Sequence, residues 1–97
     1  MLILGIDPGL QKTGWGIIEK NGSRLSYLAS GLIKTNAADT LPRRLAHLHE
    51  QLSGLITLWN PNAAAVEETF VNKNPASALK LGQARGVLLA VPAIHGI

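Results

Sequence analysis

Three acidic side chains stand where short apolar segments end. Asp7 follows the apolar segment 2–6 and precedes Pro8-Gly9, and Glu67 and Glu68 follow the apolar segment 63–66. Neighbouring strands lie about 4.8 Å apart, so carboxylates that end two neighbouring parallel strands meet at one edge of the sheet. Two such carboxylates need a cation between them. Oxygen ligands in a chain without cysteine favour Mg²⁺ or Mn²⁺ over Zn²⁺. In phosphodiester hydrolysis such ions activate water and stabilise the leaving oxygen.

Each acidic position also has a second interpretation. A lone carboxylate at the end of a buried strand is costly, so Asp7 should be hydrogen-bonded, paired with a cation or bound to a metal. Alternatively, Asp7 closes an Asx turn by accepting from the Gly9 amide. Adjacent strand residues point to opposite faces, so only one of Glu67 and Glu68 can be the partner of Asp7, and the pattern leaves both open.

The spacing of apolar residues and the turn signals predict the strands and helices that position these residues. Apolar segments 2–6, 14–19 and 25–33 predict three strands, and Asn21-Gly22 predicts a hairpin between the second and third. Apolar residues at steps of four and three predict a helix from Leu41 to Trp59, and 63–66 predicts a fourth strand. The order favours a mixed α/β layer, with an antiparallel meander and a fourth strand parallel to an earlier one.

The helix ends carry their own signals. Asp39 or Thr40 can cap the first helix, and Asn60 with the following proline ends it. A second helix is predicted from Asn74 as N-cap, with Pro92 ending or kinking it. Gly82 and Gly86 in that helix permit close approach of a backbone, either the sheet or a second subunit.

Composition narrows the class of protein. The 97 residues are 46% hydrophobic and 15% charged, which suits one small globular domain. Cysteine is absent, so disulfides and thiolate metal sites are excluded, and His47 and His49 are too close on a helix to face one ion. With no leader or membrane-spanning segment recognised, the sequence predicts a soluble, cytoplasmic protein with no membrane contact.

Positive charge is concentrated after the acidic pair. The formal net charge is +3, and no acidic side chain follows Glu68, whereas Lys73, Lys80 and Arg85 do. This distribution points weakly to nucleic acid, and an ordinary solvated helix face explains it equally well.

Several ordered motifs together resemble one family. They are 4–9 (LGIDPG), 13–16 (TGWG), 66–70 (VEETF) and, most specifically, 77–86 (SALKLGQARG). These motifs, at these spacings, resemble the RuvC-type Holliday-junction resolvases, and the resemblance extends to about Leu89. It implies a ribonuclease-H-like mixed sheet with helices, so that residues 1–97 form a single ribonuclease-H-like domain that is truncated at its C-terminal end relative to the family.

The resemblance also implies an activity. It predicts a homodimeric, Mg²⁺-dependent endonuclease, in which Mn²⁺ can substitute, that resolves four-way junction DNA by paired symmetric nicks in recombination and repair. A branch-migration helicase is implied as a partner. By this analogy Asp7 and Glu67 are the metal-binding catalytic residues.

A further set of residues is implied to contact DNA. Phe70 matches the family's aromatic that stacks on bases, although a lone Phe is otherwise more typical of a core. Asn72, Lys73, Asn74 and Lys80 would lie around the loop that faces DNA and contact phosphates.

The match is incomplete in one respect. Family members supply two more acidic or metal-binding residues from a later helix, which this chain lacks. A catalytically incomplete fragment that binds DNA and dimerises is therefore an alternative. A phosphotransferase of the actin-like superfamily is another, since its first strand also ends in a Gly-x-Asp-x-Gly turn like residues 5–9.

Overall fold

In the part of the chain that the structure describes, four strands form one mixed sheet, and two helices cover one of its faces. The computed structural model describes residues 1–68 and 74–97. The elements, in chain order, are β1 (Leu2–Asp7), β2 (Lys12–Asn21), β3 (Arg24–Lys34), α1 (Leu41–Trp59), β4 (Ala63–Val66) and α2 (Pro75–Ile94). The number, type and order of these elements agree with the sequence-based prediction.

The sheet has the order β3-β2-β1-β4. Strands β1, β2 and β3 form the predicted antiparallel meander, and β4 runs parallel to β1. Gly22 adopts a φ of 64° in the β2–β3 hairpin, which explains why the Asn-Gly pair turns the chain there. Helix α1 carries the chain back so that β4 can start at the same end of the sheet as β1.

The core lies between the sheet and the helices. Leu4 and Ile6 of β1 are buried, and Ala64 and Val66 of β4 pack against the same core. Alternate positions of both strands therefore face the helices, and the positions between them face away. The fully or nearly buried residues are Leu4, Ile6, Ile17, Ile33, Leu48, Leu52, Ile56, Ala84, Leu88 and Val91.

The helix ends differ from the prediction in two details. Thr40 is the N-cap of α1 but makes no side-chain cap bond, whereas Asn74 caps α2 by accepting from the amides of Ala76 and Ser77. Pro92 does not end α2, which continues to Ile94. The last turn is closed past Pro92 by the amides of His95 and Ile97, which donate to the carbonyls of Val91 and Pro92.

The second face of the sheet is left open by the described residues. Leu25, Tyr27 and Leu32 on β3 are 64%, 71% and 56% exposed. The pairing of β2 with β3 shifts register between Ile17 and Ile18 of β2. The extra residue forms a bulge in β3, which bends this edge strand. Among the described helices, none combines the length and apolarity that a membrane span requires.

Candidate metal centre at the carboxyl edge of the sheet

Asp7 and Glu67 end adjacent parallel strands in the same register. Ile6 pairs with Val66, and the amide of Glu67 donates to the carbonyl of Ile6 at 2.9 Å. Because Ile6 and Val66 face the helices, the next residues, Asp7 and Glu67, share the opposite face, with strands about 4.8 Å apart. The register thus brings Glu67, not Glu68, beside Asp7.

A shallow cleft of about 480 Å³ contains both carboxylates. Four of its nine described lining residues are glycine or alanine, so that a bulky ligand can approach the backbone of the sheet there. A Cβ at Gly14, which pairs with Asp7, would lie 3.6 Å from the Cβ of Asp7 and 4.0 Å from its Oδ2. The lining residues are Gly5, Ile6, Asp7, Gly14, Trp15, Gly16, Ala65, Val66 and Glu67.

Two sequence-based expectations about Asp7 are wrong, namely that it is buried and that it closes an Asx turn. Asp7 is exposed, because only one face of β1 is covered, so the cost of burying a lone charge does not arise. The Asx turn is also absent, since the Gly9 amide donates to the Thr13 hydroxyl oxygen at 3.3 Å. The turn after Asp7 is therefore closed by Thr13, and the carboxylate of Asp7 is not needed to close it.

Thr13 holds this turn from the inside. Its side chain is fully buried, and its hydroxyl donates to the carbonyl of Gly9 at 2.6 Å. Gly9 cannot carry a side chain in this conformation, because a Cβ would lie 2.1 Å from the backbone oxygen of Lys12. The position of Asp7 thus follows from a tightly packed glycine and one buried threonine.

Thr35 and Arg44 hold the same turn from the outside. The Thr35 amide donates to the carbonyl of Gln11 at 3.0 Å, and its hydroxyl donates to the carbonyl of Leu10. Arg44, in the first turns of α1, donates from Nε to the Thr35 hydroxyl oxygen at 3.1 Å. Sequence reasoning missed the roles of Thr13, Thr35 and Arg44. The partner of the Thr35 hydroxyl lies 25 residues away, at Leu10, and no local pattern marks it.

Arg85 holds the end of β4. Its Nε donates to the backbone carbonyl of Glu67 at 3.3 Å, which ties α2 to the strand end. The sequence analysis treated Arg85 only as part of a basic segment. Its contact instead fixes the main chain from which the Glu67 carboxylate projects.

The remaining predicted site residues fall into two groups. Asn74 caps α2, and Lys80 is exposed in the second turn of that helix. Phe70, Asn72 and Lys73 lie outside the described residues.

The donor set fits a hard divalent cation, but it is small. Two carboxylates on one edge present oxygen ligands of the kind that Mg²⁺ and Mn²⁺ accept. Within residues 1–68 and 74–97, no group of three or more His, Cys, Asp or Glu side chains could hold a metal ion. Asp7 and Glu67 therefore offer two oxygen-bearing side chains, fewer ligands than such a cation takes.

The hydroxyl of Thr35 gives a testable contribution to this turn. We expect Thr35→Val to lower the free energy of unfolding by about 1–2 kcal/mol, because the Leu10 carbonyl and Arg44 Nε each lose a part-buried partner. Thr57→Val, at an exposed position of α1, is the matched control and should change stability by less than about 0.5 kcal/mol. Urea unfolding of both variants measures the difference, and equal stabilities would show that the Thr35 hydroxyl does not hold the turn.

Comparison with known proteins identifies a consistent set of relatives. The family model for "Crossover junction endodeoxyribonuclease RuvC" matches residues 3–96. A protein of that name from Xanthobacter autotrophicus is 57% identical over 95 residues, covering 98% of this chain and 56% of the relative. One from Paramagnetospirillum magneticum is 56% identical over 97 residues, covering 100% of this chain and 58% of the relative.

Solved structures agree with these relatives. The Thermus thermophilus RuvC in complex with a Holliday junction substrate is similar with a TM-score of 0.90 and 28% identity, covering 100% of this chain and 59% of that one. This likeness confirms the predicted ribonuclease-H-like fold class. An Aquifex aeolicus PPX-GPPA enzyme has a TM-score of 0.62 at 17% identity, a likeness of fold alone. The chain spans a little over half the length of the curated relatives it matches.

Proposed function

This chain belongs to the crossover junction endodeoxyribonuclease RuvC family, and from that premise we propose that its protein resolves four-way DNA junctions by paired symmetric nicks. The observation that carries the proposal is the in-register placement of Asp7 and Glu67 on the open face of the sheet. A family match alone would not locate a site. The strand register gives two carboxylates at one edge, in a cleft that a DNA backbone can enter.

The proposed cofactor is a divalent cation, Mg²⁺ with Mn²⁺ as a substitute, held by Asp7 and Glu67. Bound there, such an ion supplies an activated water and stabilises the leaving oxygen of the phosphodiester. The two carboxylates are ligands and do not attack phosphorus themselves. Because this chain covers a little over half of its relatives, we propose that further ligands come from the part of the protein beyond this sequence.

The residues around the carboxylates have supporting roles in this proposal. Thr13 and Thr35 fix the turn that follows Asp7, and Arg85 fixes the main chain at Glu67. Electrostatic catalysis depends on ligands that are held in place before the substrate arrives, so these contacts favour the metal-bound geometry. Gly14 leaves space beside the Asp7 carboxylate for a metal and its ligands.

The proposed contacts with DNA extend along the same edge. Phe70 is proposed to stack on a base, and Asn72, Lys73 and Lys80 to contact phosphates. Asn74 also remains a proposed contact, although its side-chain oxygen already accepts from two amides of α2. A homodimer acts on the two strands of the junction, with a branch-migration helicase as partner and the cytoplasm as location.

A comparison of chain lengths tests the proposal. We expect the full-length protein to nick a synthetic four-way junction only with Mg²⁺ or Mn²⁺. The 97-residue chain should differ, because its described residues offer no group of three ligands for a metal ion. The 97-residue chain should still shift the junction in a gel while nicking it about 10²-fold more slowly or not at all. Isothermal titration with Mg²⁺ should show much weaker binding to the short chain.

The other outcomes separate the alternatives. Junction binding without nicking by either length would select a binding fragment over a nuclease. ATP hydrolysis by the purified chain, with no effect on junctions, would instead select the phosphotransferase.

A further inference from the structure

A second cleft, of about 470 Å³, lies beside the turn that follows Asp7. It is formed by that turn, the start of β2 and the first two turns of α2. Among the described residues, its lining includes two lysines, a serine and a glutamine, and no acidic residue. The lining residues are Gly9, Leu10, Gln11, Lys12, Ser77, Lys80 and Leu81. We call it the Lys12–Lys80 cleft.

The strand register places Lys12 close to the carboxylate edge. Asp7 pairs with Gly14 in the β1–β2 ladder, and Lys12 is two residues before Gly14 on the same strand. Residues two apart on a strand share a face, so Lys12 starts on the face that carries Asp7. Lys12 lies about 7 Å along β2 from Gly14, the rise of two strand residues, and β1 lies about 4.8 Å to the side of β2. Gly14 puts no side chain between the two.

Helix α2 supplies the opposite wall of the cleft. Ser77 and Lys80 are three residues apart and lie on one side of the helix. Lys80 is exposed, and α2 contains no acidic residue that could pair with it along the helix. The charged groups among the described lining residues are thus the two lysine ammonium groups, which bind phosphate oxygens as point charges.

We propose that the Lys12–Lys80 cleft holds a backbone phosphate of the DNA strand that is cut, next to the phosphate that lies at Asp7 and Glu67. The inference rests on the proposed function and deepens it, since it assigns Lys12 and Ser77, with Lys80, to a substrate phosphate. Two lysines from different elements hold the phosphate between β2 and α2. The Ser77 hydroxyl and the Gln11 amide add uncharged donors. This contact sets the register of the strand along the carboxylate edge.

Binding measurements on single variants test the assignment without any cleavage. Junction affinity is measured without divalent metal, at several salt concentrations, for Lys12→Gln and Lys80→Gln. Each variant should weaken binding severalfold and reduce the slope of log affinity against log salt by about 1, as expected for the loss of one phosphate contact. Lys20→Gln is the matched control, because Lys20 is an exposed lysine of β2 near the far end of the sheet. It should leave the slope unchanged.

Chemically modified junctions identify which DNA phosphate the cleft contacts. In a series of junctions, one phosphate near the cleavage site is replaced by a neutral methylphosphonate, at a different position in each junction. One neighbouring position should weaken binding to the wild-type protein more than binding to Lys12→Gln or Lys80→Gln, since each variant retains only one of the two lysines. If every position weakens the variants as much as the wild type, or if Lys20→Gln matches them, the cleft holds no phosphate. Failure of the wild type to bind junctions at all would instead refute the proposed function.

Discussion

Asp7→Asn in the full-length protein is expected to lower metal-dependent nicking of a four-way junction by about 10²-fold or more. The change keeps the shape of the side chain and removes its charge, so a divalent cation loses one of its anionic oxygen ligands. A contribution of several kcal/mol to transition-state stabilisation corresponds to this factor, because each 1.36 kcal/mol is about tenfold in rate. Single-turnover nicking of a saturating junction concentration measures the effect.

The adjacent glutamates supply a matched pair for this experiment. Glu67→Gln should reduce nicking to a similar degree, whereas Glu68→Gln should remain within about threefold of the wild type. The reason is the register: Glu67 shares the face and the cleft of Asp7, and Glu68 does not line that cleft. Both glutamates are exposed, so neither substitution should change the fold, and circular dichroism should not distinguish the two variants.

Junction binding provides the control for this prediction. Binding of Asp7→Asn without divalent metal should equal or exceed that of the wild type, because removing a negative charge at the DNA edge reduces repulsion of phosphates. Full nicking activity in Asp7→Asn, or equal losses in Glu67→Gln and Glu68→Gln, would contradict the assignment of Asp7 and Glu67 to the metal.

The fold was predictable because local signals and apolar periodicity agree throughout most of the chain. The Asn21-Gly22 pair, the Asn74 cap and the leucine spacing of α1 each specify structure within a few residues. Pro92 was expected to end or kink α2, but the helix continues to Ile94. A proline removes one amide donor, and the bonds that close the last turn here come from the amides of later residues.

The site was predictable only as far as strand ends could be recognised. Asp7 and Glu67 were singled out because each follows an apolar segment. The residues alone left Glu67 and Glu68 open, and the family resemblance favoured Glu67. The pairing of Ile6 with Val66 places Glu67 beside Asp7. A shift of one residue in that register would have exchanged them. The exposure of Asp7 was missed because the sequence does not tell which face of β1 stays uncovered.

The contacts that hold the two carboxylates in place were not predictable. Thr35 and Leu10 are 25 residues apart, and Arg85 and Glu67 are 18 apart. Each bond joins a side chain to a backbone carbonyl, which accepts from any donor and leaves no mark on the residue type at the accepting position. Such partners become visible only when the sheet and helices are assembled.

Gly9→Ala is expected to destabilise the fold and to displace the turn after Asp7. A Cβ at residue 9 would lie 2.1 Å from the backbone oxygen of Lys12, and a backbone atom cannot move aside as a flexible side chain can. The turn must shift, which also breaks the paired bonds between Gly9 and Thr13. We expect a loss of more than about 1 kcal/mol, or a fall in Tm of at least about 4–8 °C for a domain of this size.

Gly54→Ala is the matched control, because the same added methyl group should there have the opposite effect. Gly54 is exposed within α1, and a Cβ at this position would meet nothing within 4 Å. Alanine loses less conformational entropy than glycine in a helix, so stability should rise by about 0.5–1 kcal/mol. Thermal and urea unfolding of both variants test the pair. Equal stability of Gly9→Ala and wild type would mean that the turn tolerates a side chain, and Gly9 would then not determine the position of Asp7.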